Sequence, residues 1–70
     1  MFKRGDIVVV KERYSHPLSD EHPAKRLKAA DLAKDLVGEI IDVHGYYVTV
    51  WFPSLQKYTS GTYDDHYRKL

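Results

Sequence analysis

The chain has 70 residues, 30% of them charged and 43% hydrophobic, and its 11 basic and 10 acidic side chains leave a net charge of +1. That length admits one domain, 1–70, with a thin core: so short a chain buries only about 60% of its unfolded surface, and without cysteine it has neither a disulfide nor a thiolate zinc site to staple it. Near-cancelling charge excludes a broad basic field, so nucleic-acid binding would require the basic residues to cluster in space.

The longest apolar runs, such as Ile7-Val8-Val9-Val10, fall far below the roughly 18–20 residues of a membrane span. Met1-Phe2 leads at once into Lys3-Arg4-Gly5-Asp6 rather than into an apolar signal segment. The expectation is a cytoplasmic protein with no membrane partner.

The first strand is predicted over 6–11, where a β-branched run follows Gly5. Its apolar residues are consecutive, which predicts burial on both faces. Arg4-Gly5-Asp6 also spells an integrin-recognition tripeptide, but here it reads as the turn that opens this strand. From 12 onward the chain turns polar. Tyr14-Ser15-His16-Pro17 and Ser19-Asp20-Glu21-His22-Pro23 read as loop, because each proline steers the residue before it away from helix. Pro23 suits a first helical turn, Asp20 and Glu21 suit the positive helix end, and Ala29, Leu32, Ala33 and Leu36 recur at helical spacing. An amphipathic helix is therefore predicted over 24–36, stopped by Gly38.

The second half carries the stronger pattern. Runs at 37–43 and 46–52, separated by His44-Gly45, predict a β-hairpin. Alternation places Tyr46, Val48, Val50 and Phe52 on one face of the second run, with Tyr47, Thr49 and Trp51 on the other. In the first run Val37, Ile41 and Val43 oppose Ile40 and Asp42. Pro53 ends the strand. A fourth strand is predicted over 56–59, a turn at Ser60-Gly61 into Thr62-Tyr63, a single helical turn at Asp64-Asp65, and a closing strand over 67–70.

Gly5-Asp6 with Ile7–Val10, then Val37-Gly38-Glu39-Ile40-Ile41-Asp42-Val43, then Tyr47-Val48-Thr49-Val50-Trp51-Phe52, resembles the SH3-like small barrels. That group includes KOW-type domains, the photosystem I subunit PsaE and the variable chain of ferredoxin–thioredoxin reductase. The Asp64-Asp65-His66-Tyr67 ending is similar to the single turn and short strand that close such barrels. The resemblance implies a mainly β, five-stranded SH3-like small barrel. KOW domains join their first two strands tightly, whereas this chain carries a loop-plus-short-helix insertion over about 12–36. The reductase variable chain has a His-Pro-containing excursion at that place, echoed by Tyr14-Ser15-His16-Pro17. Fold is implied by this likeness and function is not, since one barrel hosts many roles.

Catalytic equipment is missing from the sequence. There is no thiolate nucleophile, Ser15, Ser19, Ser54 and Ser60 lack a nucleophile elbow, and the four glycines are isolated rather than forming a phosphate loop. A non-enzymatic chain without cofactor or metal is expected. His16 and His22 share a loop with Asp20 and Glu21, but none of the four histidines has ligand spacing, and exposed loop histidines are the simpler reading.

Two binding readings remain. Six tyrosines and one tryptophan are residue types that dominate protein interfaces. They point to an accessory, adaptor or regulatory module that docks on a larger protein through Tyr14, Tyr47, Trp51, Tyr58 and Tyr63, with Arg13 and Arg26 as polar anchors. A small viral or mobile-element regulator is one setting for such a chain. The alternative is a KOW-like nucleic-acid binder in which Lys3, Arg4, Lys11, Arg68 and Lys69 form the basic patch while Tyr47 and Trp51 stack bases. Against both stands the reading in which Tyr47 and Trp51 simply pack beneath the inserted segment.

Overall fold

The computed structural model describes residues 2–19 and 28–70, with backbone only for 17–19 and 28–30. The chain is mainly β. Seven strands are present among these residues: β1 (Ile7–Val10), β2 (Tyr14–Ser19), β3 (Lys28–Leu32), β4 (Val37–His44), β5 (Tyr47–Phe52), β6 (Lys57–Tyr63) and β7 (Tyr67–Lys69), with a single 3₁₀ turn at Asp64–His66 before the last. They form one antiparallel sheet in the order β3-β2-β6-β5-β4-β1-β7. The order ends at β3 and β7, and no ladder joins those ends into a closed barrel among the described residues.

Five strands, β6-β5-β4-β1-β7, make the sheet the sequence anticipates. The insertion differs. The helix predicted over 24–36 is not formed over the described part: residues 28–32 are β3, Ala33–Leu36 is a turn closed by Leu36 N–H to the Ala33 carbonyl at 3.2 Å, and 24–27 lie outside the described residues. Its predicted loop at 14–19 is β2. The two pair from Tyr14–Leu32 to Leu18–Lys28, and β2 adds to the edge of β6. The alanine-rich periodicity lost because an isolated helix of that length is marginal. The strand instead gains a full ladder and puts Leu32 fully inside the core.

The core collects Val8, Val10, Leu32, Ile40, Val48, Val50, Phe52 and Tyr67, with Phe2, Tyr14, Leu36 and Val43 packed against it. Val9 points the other way, between Val37 and Arg68 in the register, and is also buried, so the β1 run is covered on both sides. The β4–β5 turn falls one residue later than predicted. His44 pairs with Tyr47, and Gly45 (φ 61°) and Tyr46 make the two-residue connection, so Tyr46 leaves the inward row and stands exposed.

Two bulges set which residues face inward. On β4 the register slips between Ile40 and Asp42, so Ile40 meets Val50 while Val43 meets Val48, and both point to the core. On β6 it slips between the partners of Val48 and Val50, which brings both Thr59 and Thr62 inside. Ser60-Gly61 is therefore a bulge within one continuous strand rather than a turn. Gly61, at φ 72°, supplies the left-handed residue it requires.

Those threonines serve a buried hydroxyl group. Tyr67 Oη donates to Thr62 Oγ1 at 3.2 Å. Its one proton being spent, the 2.6 Å contact with Tyr14 has Tyr14 donating, and the 3.4 Å contact with Thr59 has Thr59 donating. Thr59 Oγ1 in turn accepts the Val50 N–H at 3.3 Å. Burial, and then the bond to Tyr67, push the Tyr14 phenol well above its ordinary range, so it stays a proton donor.

Tyr67→Phe leaves Tyr14 and both threonines short of a partner and is expected to cost about 1–3 kcal/mol, read as a lower urea midpoint at unchanged slope. A second substitution tests packing. A Cβ on Gly38 would lie 2.5 Å from Val50 Cγ1 and 3.0 Å from Phe52 Cε1. Gly38→Ala is expected to destabilise by about 1–3 kcal/mol through overpacking. Adding Val50→Ala should cost less than the sum of the single changes, as a double-mutant cycle will read.

Candidate interaction face

The outer side of β4, β5 and β6 presents an ordered surface because alternation and the two bulges put specific residues side by side. One cross-strand row runs Ile7–Glu39–Trp51–Tyr58 over β1, β4, β5 and β6. A second runs His44–Tyr47–Tyr63, and Asp42–Thr49 lies between them. Directly opposed side chains are close enough to interact. Tyr47 and Tyr63 do so: their ring centroids are 4.8 Å apart at 32°, and Tyr47 Oη donates to Tyr63 Oη at 3.1 Å. That bond raises the Tyr47 phenol above its ordinary value.

Both rings of this pair stay open to solvent, Tyr47 at 45% and Tyr63 at 53%, and Trp51 and Tyr58 are partly exposed. Ile7 and Val37, 40% and 45% exposed, extend the apolar surface toward β1. The inserted β2–β3 hairpin pairs at the β6 edge instead of lying over this face. Ser19 stands opposite Tyr58 there, and the middle of the insertion, 20–27, which the packing reading also invokes, lies outside the described residues.

Acidic groups border the aromatic residues. Glu39 is exposed beside Trp51. Asp42 accepts the Val43 N–H at 3.0 Å and pairs with His44 Nε2 at 2.8 Å. Those two bonds, the His44 one foremost, hold its carboxyl below the usual range, so it is ionised at neutral pH.

The other predicted protein-binding residues lie elsewhere. Tyr14 is half-buried against the core, with its hydroxyl on Tyr67. Arg13 is exposed and bound to Asp31, which also accepts from Ser15, across the β2–β3 hairpin. Arg26 lies outside the described residues, as do Asp20, Glu21 and His22.

Among the residues proposed for nucleic acid, β1–β7 pairing does gather Lys3, Arg4 and Lys69 at one end. The turn Lys3–Asp6, closed by Asp6 N–H to the Lys3 carbonyl at 3.0 Å, puts Arg4 and Gly5 at its centre. A buried carboxylate sits among them: Asp6 accepts the Lys3 N–H at 2.9 Å and lies 3.7 Å from Lys69 Nζ. The Lys3 bond depresses the Asp6 pKa against the opposing effect of burial, with Lys69 assisting. Arg68 pairs with Asp35 at 3.1 Å. Lys11 belongs to the opposite end of β1, where Lys11, Glu12, Arg13, Tyr14, Asp65 and His66 line an open cleft of about 250 Å³.

Sequence reasoning gave no role to Glu39, Asp42 or His66, and it read His16 as an exposed loop histidine, whereas His16 lies on β2 and is partly buried. The Tyr14 ring stacks on His66 at 4.4 Å and 18°, and meets His16 edge-on at 6.1 Å. Among the described residues no three His, Asp or Glu side chains gather as metal ligands. No described helix is long and apolar enough to cross a membrane. Comparison of the chain with protein-family models, with curated proteins and with solved structures finds no match.

Burial, reinforced by the neighbouring His66, lowers the His16 pKa below 6.5, despite a bond to the Ser60 backbone that opposes the shift. The unfolded chain then binds the His16 proton more readily than the folded one. Stability is fully present above 6.5 and is lost as pH falls from there through the depressed folded value. Thermal unfolding at about pH 7.5 and about pH 5 should show a drop in Tm for the wild type that is smaller in His16→Gln.

Proposed function

We propose that this chain is a non-catalytic accessory or regulatory module that docks on a larger protein through the outer face of β4, β5 and β6. The observation that carries the reading is the group Tyr47, Trp51, Tyr58 and Tyr63, paired across two adjacent strands, with Tyr47 and Tyr63 exposed and Trp51 and Tyr58 partly exposed. Aromatic side chains offer large contact area at small entropic cost, and they supply most interface hot spots. We read the five-stranded part as an SH3-like small barrel and the β2–β3 hairpin as its insertion. The strand order β6-β5-β4-β1-β7, the single 3₁₀ turn before the last strand, and the Tyr14–Tyr67 contact across the sheet support this.

Nucleic-acid binding has less support. Lys69 and Arg68 are each engaged by an aspartate, Lys11 sits apart from Lys3 and Arg4, and the aromatic face is bordered by Glu39 and Asp42, which repel phosphate.

In affinity capture from nuclease-treated cells of origin, the wild type should retain a protein partner. Trp51→Ala, checked for native circular dichroism, should weaken that binding by about 30-fold, the loss expected for a hot spot of about 2 kcal/mol. Full retention by a folded Trp51→Ala would remove the face from the function.

A further inference from the structure

Resting on that docking reading, we infer that the segment received by the face is basic: an arginine or lysine side chain lies over Trp51 and Tyr58 with its charge directed to Glu39. The inference comes from the register. The bulge on β4 sets Glu39, rather than Ile40, directly opposite Trp51, and Trp51 is opposite Tyr58. A carboxylate and two partly exposed ring systems are thus consecutive in one row. A guanidinium or ammonium group is the chemistry that satisfies both, through cation–π contact with the rings and a charge-assisted bond to the carboxylate. Arginine suits it best, because its planar head stacks on a ring while its N–H groups reach a neighbouring acceptor.

The surroundings carry the same sign. Glu39 has no ion-pair partner among the described residues. Asp42 is held ionised one row away and is turned toward its own Val43 N–H and His44, so it supplies field rather than a second contact. Arg4, whose charge is felt at Asp42, is the cation that opposes this trend. The exposed Ile7 and Val37 beyond Glu39 then offer an apolar floor for the residues that flank the basic one.

The test is selection of a phage-displayed library of random twelve-residue peptides on the intact protein, on Glu39→Gln and on Trp51→Ala, the two variants checked for native circular dichroism. Wild type should enrich arginine plus lysine at least two-fold over the unselected library. Recovered peptides should bind Glu39→Gln several-fold more weakly, bind Trp51→Ala more weakly still, and lose affinity as salt is raised. Peptides that need Trp51 but show no basic enrichment would overturn this inference and leave the docking reading intact. Peptides indifferent to both substitutions, or no recovered binder, would overturn both. A single-stranded oligonucleotide that quenches Trp51 fluorescence at low salt, and binds Glu39→Gln more tightly than wild type, would overturn both in favour of nucleic acid.

Discussion

The Tyr67 hydroxyl sits where strands far apart in the sheet order come together. β7 is at one end of that order, β2 and β6 are toward the other, and yet Tyr67 reaches Tyr14 of β2 and both Thr59 and Thr62 of β6. A twisted antiparallel sheet curls readily, but something must hold its far edges against each other when no backbone ladder does so. Here side-chain hydroxyl groups do it inside the core. Each is worth little when made and much more when broken, because a hydroxyl stranded among Val8, Val50 and Phe52 has no water to turn to. A chain without disulfide or cysteine-held metal therefore relies on a polar contact for an end-to-end constraint that its few apolar residues cannot impose alone.

That constraint explains the bulge on β6. Tyr67 is served from β6 only if Thr59 and Thr62 both face inward, and a strand of period two cannot place residues three apart on one side without an extra residue between them. Ser60-Gly61 provides it. On β4 the same arithmetic applies to Ile40 and Val43, with Ile41 the residue left over. One consequence falls on the opposite face. The slips that bring the threonines and Val43 inside also carry Tyr58 and Tyr63 outward together, and set Glu39 beside Trp51. The polar core contact and the aromatic surface are two results of a single register.

Much of this register was legible in principle. Glu39 and Asp42 are three apart, as are Ile40 and Val43, and the two patterns agree only if one residue between them is unpaired. Reading 37–43 as a regular strand instead put Val43 on the side opposite Ile40. The β5 alternation, by contrast, was readable because no bulge interrupts Val48, Val50 and Phe52, and the 3₁₀ turn and closing strand were readable from Asp64-Asp65 onward. The inserted hairpin was not. Ala29, Leu32, Ala33 and Leu36 do have helical spacing, and only the availability of β6's free edge, a tertiary fact, makes strand the better state.

Charge follows the same division between what composition and what position decide. The net charge of +1 gave no sign of where the cations would be spent. Arg13 meets Asp31, Arg68 meets Asp35 and Lys69 meets Asp6, pairings that span 18, 33 and 63 positions of the chain and are products of strand order. The two exposed pairs, Arg13–Asp31 and Arg68–Asp35, contribute little stability. Their larger effect is on what the surface offers a partner: they engage Arg13, Arg68 and Lys69, while Glu39, opposite Trp51, has no ion-pair partner among the described residues. On the docking proposal, carboxylates beside the partly exposed Trp51 and Tyr58 and the exposed Tyr47 and Tyr63 favour positive charge over phosphate.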